Sequence, residues 1–206
     1  MPALLSCKNV KVHRTAGFEY DALTMTVEKR KLTVKDFLLM GEMGVFAPDE
    51  HVELLDGEIY TVSPPSPEHA GLVKRLAKLL EQTYGDRCIV SVQDPLVLDD
   101  YRLTEPDIAL LKPDPLFYSE AHPTAQDAFL VVEVSRSSLN YDKTDKLPRY
   151  AQAGVPEVWI IDVKSNVLEV HREPFQRGYR QRTFLYPNET VQPLAFAEDK
   201  GIIVLN

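Results

Sequence analysis

A short run of apolar residues in the middle of the chain, 128–135, contains one carboxylate, Glu133. Apolar side chains at successive positions are typical of a β-strand that is covered on both faces, so this run predicts a strand near the middle of a sheet. An ionised carboxylate in such a place is costly unless another group pairs with it, coordinates it or protonates it. The pattern therefore predicts that Glu133 is buried or lies at the floor of a cleft, and that it has a chemical partner elsewhere in the chain.

The hydrophobic pattern also predicts helices. Residues 32–40 and 67–84 carry apolar side chains on one face and start beside residues that commonly cap helices, Thr33 and Ser66. A third helix is expected after the Glu133 strand, ending at Gly154. Its predicted start is near Thr144 or Asp145, because Pro148 is tolerated in the first turn of a helix but not in its interior.

Alternating or wholly apolar segments predict the strands. Together with the helices they indicate a mixed α/β fold, with a central β-sheet flanked by helices and a C-terminal antiparallel β appendage. Residues 1–24 have no clear periodicity and are interpreted as a flexible arm, which leaves 25–206 as a single domain. The predicted strands cover residues 51–63 (two strands around an Asp56-Gly57 turn), 88–98, 106–111, 128–135, 157–163, 168–172, 178–185 and 202–205.

Composition narrows the class of protein. The formal net charge of -8 argues against a protein that mainly coats nucleic acid, because neutralising phosphates requires lysine and arginine. It does not exclude a nuclease, since a cluster of carboxylates that holds a metal ion is itself acidic. The sequence has no apolar run long enough for a membrane span and no secretory signal, and Cys7 and Cys88 have no partner motif. A reduced, cytoplasmic setting is therefore expected.

Two acids interrupt or precede apolar strands, Asp107 and Glu133. If those strands are neighbours, both carboxylates reach the same end of the sheet, where they could bind Mg²⁺ through oxygen. The alternative is that each acid caps a strand end or pairs with a nearby lysine or arginine. Asp142, Lys146 and Tyr150 are spaced by four residues and share a helix face if the third helix begins one turn earlier. Lys146 could then reach the acids, or else lie exposed beside Asp142.

Three further residues are candidates for the same cleft. Glu53 lies on a predicted strand between apolar neighbours, so its side chain faces either the cleft or solvent. His69, in the first turn of a helix, could bind phosphate, transfer a proton or be a surface residue. Gln93, on the predicted strand 88–98, could join the cleft as a polar neighbour.

Five motifs occur in a fixed order over about Leu32–Asp162, which is most of the chain. In that order and spacing they resemble the bacterial "putative restriction endonuclease" family, which is grouped with the PD-(D/E)XK nucleases and the restriction endonuclease-like fold. The motifs are Glu53-Leu-Leu-Asp-Gly-Glu-Ile59, Ser66-Pro-Glu-His69, Glu105-Pro-Asp-Ile108, Leu130-Val-Val-Glu-Val-Ser135, and Asp142-x-x-x-Lys146-x-x-x-Tyr150-Ala-x-Ala-Gly154-Val-Pro-Glu-Val-Trp-Ile-Ile-Asp162.

The resemblance implies a Mg²⁺ site and hydrolysis of DNA phosphodiester bonds. Asp107 matches the motif aspartate and Glu133 the motif glutamate, and the backbone carbonyl of Val134 is implied as a further metal ligand. The lysine that the motif places two residues after the glutamate is absent, because Ser135 stands there. Lys146 on the following helix is the implied replacement.

The resemblance also makes Glu53 the early acid near the site. We therefore predict a Mg²⁺-dependent endonuclease, with Mn²⁺ able to substitute, in which Lys146 orients water or stabilises charge. Glu53 would assist the metal or act as a base. One alternative is a non-catalytic module that keeps the fold and associates with DNA or dimerises. Another is a metal-dependent hydrolase of RNA or other phosphate esters. Exposed strand edges leave a homodimer open.

Overall fold

A six-stranded mixed sheet occupies the centre of the computed structural model, which describes residues 28–205. Its strand order is β10-β9-β8-β7-β6-β3, and only β7 and β8 run parallel. A four-stranded sheet has the order β2-β1-β5-β4, and β11 pairs with β12. The strands are β1 His51–Leu55, β2 Glu58–Val62, β3 Ile89–Ser91, β4 Leu96–Asp99, β5 Arg102–Thr104, β6 Ile108–Leu111, β7 Ala128–Ser135, β8 Glu157–Asp162, β9 Val167–Phe175, β10 Gly178–Leu185, β11 Thr190–Val191 and β12 Ile202–Ile203.

This architecture confirms the predicted fold class, including the central position of the strand that carries Glu133. The predicted strands 168–172 and 178–185 extend the central sheet as β9 and β10, so the separate antiparallel pair is β11 with β12. The chain from Lys31 onward forms one compact unit. The predicted flexible arm, 1–24, lies outside the described residues, and the predicted domain boundary stays a prediction.

The prediction of one strand over 88–98 is wrong. The chain leaves the central sheet after β3 and enters the four-stranded sheet as β4. Between these strands Gln93 has a φ of 55°, a backbone conformation that interrupts an extended strand. Gln93 therefore lies in the connection and not on a strand. Alternating polarity continued across the break, which is why the pattern concealed it.

The first two helices form where their capping residues predicted. Helix α1 is Val34–Glu42, and Thr33 and Asp36 satisfy each other's backbone N–H groups in a capping box. Helix α2 is Pro67–Tyr84, where the Ser66 hydroxyl accepts the His69 N–H at 3.3 Å. None of the helices among residues 28–205 combines the length and apolar character that a bilayer crossing requires.

The third helical segment begins earlier than predicted. It consists of α3 Leu139–Tyr141, a π-helical turn Asp142–Lys146 and α4 Leu147–Ala153. Thr144 and Asp145, the residues predicted to cap this helix, lie inside the π turn instead. The Thr144 hydroxyl donates to the Asn140 carbonyl within the segment. A proline ring clashes with the carbonyl four residues earlier in an α-helix, and the wider π turn directly before Pro148 accommodates it.

Two apolar clusters cover the faces of the central sheet. On one face α2 packs against alternate side chains of β6 to β9, with Trp159 fully buried in the cluster. On the other face Val131, Val158 and Ile160 pack with Tyr150 of α4. Cys88 is buried beside α2, and burial raises the pKa of its thiol to about 11. This thiol is therefore un-ionised at neutral pH.

The β1–β2 turn joins the four-stranded sheet to α4. Asp56 and Gly57 both have positive φ (53° and 79°), as a tight hairpin turn requires. A Cβ at Gly57 would lie 2.6 Å from the Cβ of Lys31, so only glycine fits there. The Asp56 carboxylate accepts hydrogen bonds from Arg102 at 2.5 Å and from Arg149 of α4 at 2.6 Å. One carboxylate thus links the hairpin to the helix that follows the π turn.

We predict that Asp56→Asn lowers the free energy of unfolding by about 1–2 kcal/mol, measured by urea denaturation at pH 7. Burial by itself would raise the pKa of Asp56, but hydrogen bonds and charge from Arg102 and Arg149 outweigh it and lower the pKa. Stability from a carboxyl with a lowered pKa is present above its unfolded pKa and lost as the pH falls through its folded pKa. The difference from wild type should therefore shrink in acid. Equal stability of Asp56→Asn and a control variant of the exposed Asp86, Asp86→Asn, would contradict this account.

Candidate active site

A cleft of about 520 Å³ opens where the β1–β2 hairpin, the start of α2, the ends of β6 and β7, and the π turn meet. The structure brings most of the sequence-predicted site residues to this one place. Ser135 and Tyr150 are fully buried next to it. The predicted residues that line the cleft are Glu53, His69, Gln93, Asp107, Glu133, Asp142 and Lys146.

Sheet register places Asp107 next to Glu133. Strands β6 and β7 are antiparallel with Ile108 opposite Val132, so the next pair along is Asp107 and Glu133. The backbone N–H of Val134 donates to Asp107 Oδ2 at 2.8 Å. The N–H and carbonyl of one strand residue point to the same side, so the Val134 carbonyl also faces the side of β7 on which Asp107 lies.

Lys146 lies between two carboxylates and is buried. Its Nζ is 2.8 Å from Glu133 Oε1 and 2.9 Å from Glu53 Oε1. The alternative of an exposed lysine that pairs with Asp142 is therefore wrong. Tyr150 also donates to Glu133 Oε1, at 2.5 Å. All these contacts of Glu133 use Oε1, which leaves Oε2 for the cleft that Glu133 lines.

Burial dominates the electrostatics of this group. It raises the pKa of Glu133, although the charge of Lys146 acts in the opposite direction. Burial alone would lower the pKa of Lys146, but Glu133, Tyr150 and Glu53 together raise it well above its ordinary value. Lys146 is therefore a buried cation, and its charge is balanced by the carboxylates that contact it.

Glu53 is held at both carboxylate oxygens. Oε1 accepts the Glu105 backbone N–H at 2.8 Å, and Oε2 accepts the Tyr141 hydroxyl at 3.0 Å. Glu53 is only 2% exposed, so the alternative of a solvent-facing strand acid is wrong. Burial, followed by the charge of Glu53, raises the pKa of the Glu105 carboxyl. The site thus receives an acid from the second sheet as well as from the central sheet.

His69 and Gln93 both contact Asp107. His69 Nε2 is 3.0 Å from Asp107 Oδ2, and Gln93 Nε2 donates to Oδ1 at 3.2 Å. The hydrogen bond to Asp107 is the largest effect on His69 and raises its pKa. His69 Nδ1 is buried without a hydrogen-bond partner among the described residues. Both residues hydrogen-bond to Asp107, so their shared effect is to orient its carboxylate.

Ser135 stands where the resemblance predicted a lysine, and its hydroxyl binds Asp142. It donates to Asp142 Oδ2 at 2.6 Å, and Ser138 donates to the same oxygen at 2.7 Å. Asp142 is 4% exposed. These bonds attach the start of the π turn to the end of β7, and Lys146 lies at the other end of that turn.

The cleft residues that the sequence did not predict include Tyr141, Glu105, Ser138 and Arg136. Tyr141 contacts Glu53, which is 88 positions away, and no local pattern reports such a pair. Ser138 was within reach of sequence reasoning, since it lies four residues before Asp142, a spacing at which helical residues meet. Arg136 lies on the rim, where it pairs with Glu68 at 2.5 Å.

The donors at this site are oxygens, which suits a hard cation such as Mg²⁺. Residues 28–205 contain no group of three or more His, Cys, Asp or Glu side chains that could hold a metal ion. The candidate set consists of two carboxylates, Asp107 and Glu133, and one main-chain carbonyl, Val134, so it is not a cluster of that kind. Because Mg²⁺ usually keeps several waters beside one or two carboxylates, these residues fit the ion.

Comparisons with known proteins agree with this fold. A crystal structure of a putative nuclease from Anabaena variabilis ATCC 29413 is similar, with a TM-score of 0.64 and 16% sequence identity, covering 84% of this chain and 95% of that chain. No curated protein gives a significant match. The model of the Uma2 family, described as "Putative restriction endonuclease", matches residues 34–201. Because this match spans most of the chain, the protein belongs to the Uma2 family of nuclease-like proteins.

Proposed function

We propose that this protein is a Mg²⁺-dependent endonuclease that hydrolyses DNA phosphodiester bonds. One observation carries the proposal: the ammonium of Lys146 is fixed 2.8 Å from Glu133, next to Asp107, in a cleft that is open to solvent. Phosphoryl transfer depends mainly on positioning and on charge stabilisation, and this arrangement can supply both. Family membership supports a nuclease. The DNA substrate and the requirement for Mg²⁺ are proposed here.

Asp107, Glu133 and the carbonyl of Val134 would hold the ion. When bound, Mg²⁺ would polarise a phosphoryl oxygen and favour ionisation of the attacking water. His69 and Gln93 orient Asp107 through both of its carboxylate oxygens. Partners of this kind fix the direction in which a ligand side chain points.

Lys146 would contact the substrate or the attacking water directly. A lysine ammonium has three N–H donors, and two of them point to Glu133 and Glu53. The third is available to orient water or to stabilise charge on a phosphoryl oxygen. Glu53 is itself fixed by Glu105 N–H and Tyr141, so it holds Lys146 in place and is the candidate base for the water proton.

The non-catalytic alternative drew support from Ser135 and from the acidic composition. Ser135 anchors Asp142, and Lys146 brings an ammonium to the site by another route, which favours the catalytic proposal. A hydrolase of RNA or of another phosphate ester would use the same groups, so substrate must be tested directly. A cytoplasmic location and a homodimer stay predictions.

We predict that Asp107→Ala weakens Mg²⁺ binding by about 100-fold or more, measured by isothermal titration calorimetry. The reason is that the variant removes one of two carboxylate ligands. Asp86→Ala, which removes an exposed carboxylate elsewhere, should bind Mg²⁺ like wild type. Unchanged Mg²⁺ affinity of Asp107→Ala would show that the ion is not bound here.

We predict that Lys146→Gln lowers kcat for cleavage of plasmid DNA by about 10²–10³-fold, because it removes the charge that faces the substrate. The matched control is Lys143→Gln on the same π turn, whose ammonium pairs with Glu169 and not with the cleft acids. Removing Lys146 leaves two acids buried together, so circular dichroism must first establish the temperature at which the variant is folded. Equal rates for the folded Lys146→Gln variant and wild type would contradict the assigned role.

We predict that wild type with Mg²⁺ cleaves plasmid DNA faster than single-stranded DNA or RNA of equal concentration, and that Glu133→Ala cleaves none of them. Gel electrophoresis of the three reactions side by side provides the comparison. Faster cleavage of RNA would favour the alternative substrate. Equal cleavage by Glu133→Ala and wild type would contradict the mechanism.

A further inference from the structure

The β9–β10 hairpin, Val167–Leu185, carries positive charge on an acidic protein. It contains four arginines and two glutamates, a formal net charge of +2 in a chain of -8. Among the strands of residues 28–205, β10 is at the edge of the central sheet and pairs only with β9. Along β10, positions 180–184 are all exposed. This basic hairpin thus presents a positively charged strip at one edge of the sheet.

The arginines of the basic hairpin differ in whether a carboxylate neutralises their charge. Arg182 pairs with Glu169 at 2.6 Å, and Arg172 pairs with Glu157 at 2.7 Å. Arg177 and Arg180 are exposed, and among the described residues neither has a carboxylate partner. Two positive charges therefore face solvent without neutralisation inside the described part of the chain.

Two of the arginines lie over aromatic rings that are themselves exposed. The guanidinium of Arg180 is 4.2 Å from the centre of the Phe175 ring, and that of Arg182 is 4.5 Å from the Phe184 ring. Phe175 is 47% exposed and Phe184 45% exposed. Stacking on a ring orients a guanidinium while leaving its N–H donors free, and exposed aromatic faces can stack on bases.

We propose that the basic hairpin is a docking surface for the nucleic-acid backbone, a proposal that rests on the endonuclease function above. Charge decides between this partner and a second copy of the chain. Antiparallel pairing of two β10 strands would bring Arg180 and Arg182 of one copy next to the same residues of the other, which like charges oppose. Charged side chains on an edge strand are a known barrier to such pairing. A polyanion has the complementary charge.

The sheet connects this surface to the cleft. Glu133, Ile160, Glu169 and Phe184 form one row across β7 to β10, so their side chains lie on the same face of the sheet. Three strand spacings amount to about 14 Å, and Arg180 lies four residues from Phe184, about 13 Å further along β10. Arg180 is therefore about 19 Å from Glu133, which equals about six nucleotides of axial rise along one DNA strand. A duplex bound in the cleft can therefore reach the hairpin with phosphates of the same molecule.

The test is DNA binding without cleavage. Fluorescence anisotropy in EDTA measures the Kd of the full chain for a labelled 30-base-pair duplex between 50 and 200 mM salt. We expect Arg177→Gln/Arg180→Gln to bind about tenfold more weakly at low salt. The slope of log Kd against log salt should fall by about 1.8, the value for two lost phosphate contacts. The matched control is Lys74→Gln/Lys78→Gln, which removes the same charge from exposed positions of α2 and should change both quantities less.

Each other outcome overturns the proposal. If wild type does not bind the duplex, or if the arginine and lysine variants lose affinity equally, the hairpin is not a docking surface. If the arginine variant binds DNA normally but changes from dimer to monomer in sedimentation, the hairpin is an interface between copies. Failure of the docking proposal can be told apart from failure of the proposed endonuclease function. Bis(p-nitrophenyl) phosphate is too small to reach the hairpin, so its cleavage tests the cleft alone. The arginine variant should retain the wild-type rate on that substrate.

Discussion

Lys146 can be buried in this protein because carboxylates from two different sheets meet it there. Removing an ammonium from water costs several kcal/mol, and attraction offsets this only where the geometry is close. Glu133 arrives from the central sheet and Glu53 from the second sheet, each within 2.9 Å of Nζ. The ion pair therefore requires both sheets and the third helical segment to be in place together. The cleft exists at the point where these three elements converge.

The helical segment is held in place from both sides of Lys146. Before it, Asp142 accepts hydrogen bonds from Ser135 and Ser138, which attach the π turn to the end of β7. After it, Arg149 binds Asp56 in the hairpin of the second sheet. π-helical turns are rare within helices and are frequent at functional sites. Here the π turn allows one short segment to satisfy the acids of the cleft and to accommodate Pro148.

Local signals account for what the sequence predicted well. Thr33 and Ser66 cap helices through contacts within three residues, and the apolar run around Glu133 specifies a central strand by itself. The strand break at Gln93 results from a positive φ, and the early start of the third helical segment involves a π turn. Neither feature produces a recognisable pattern of apolar residues in the sequence. The four-residue spacing of Asp142, Lys146 and Tyr150 placed Lys146 on the face toward the acids only if the helix began one turn earlier than predicted. The partners of Glu53 were beyond local reasoning, because Tyr141 comes from a distant segment.

The acidic and the basic side chains that bear on the proposed function lie in different parts of the molecule. Acids gather in the cleft, and the basic hairpin lies at the opposite end of a row that crosses the central sheet. This arrangement reconciles an acidic chain with the proposed polyanionic substrate. The central claim, a metal site at Asp107 and Glu133, is tested most directly by a crystal structure of the protein soaked in Mn²⁺, using the anomalous signal of the ion. The account predicts an ion bound by both carboxylates and the Val134 carbonyl. An ion bound elsewhere, with Asp107 and Glu133 free of it, would contradict the account.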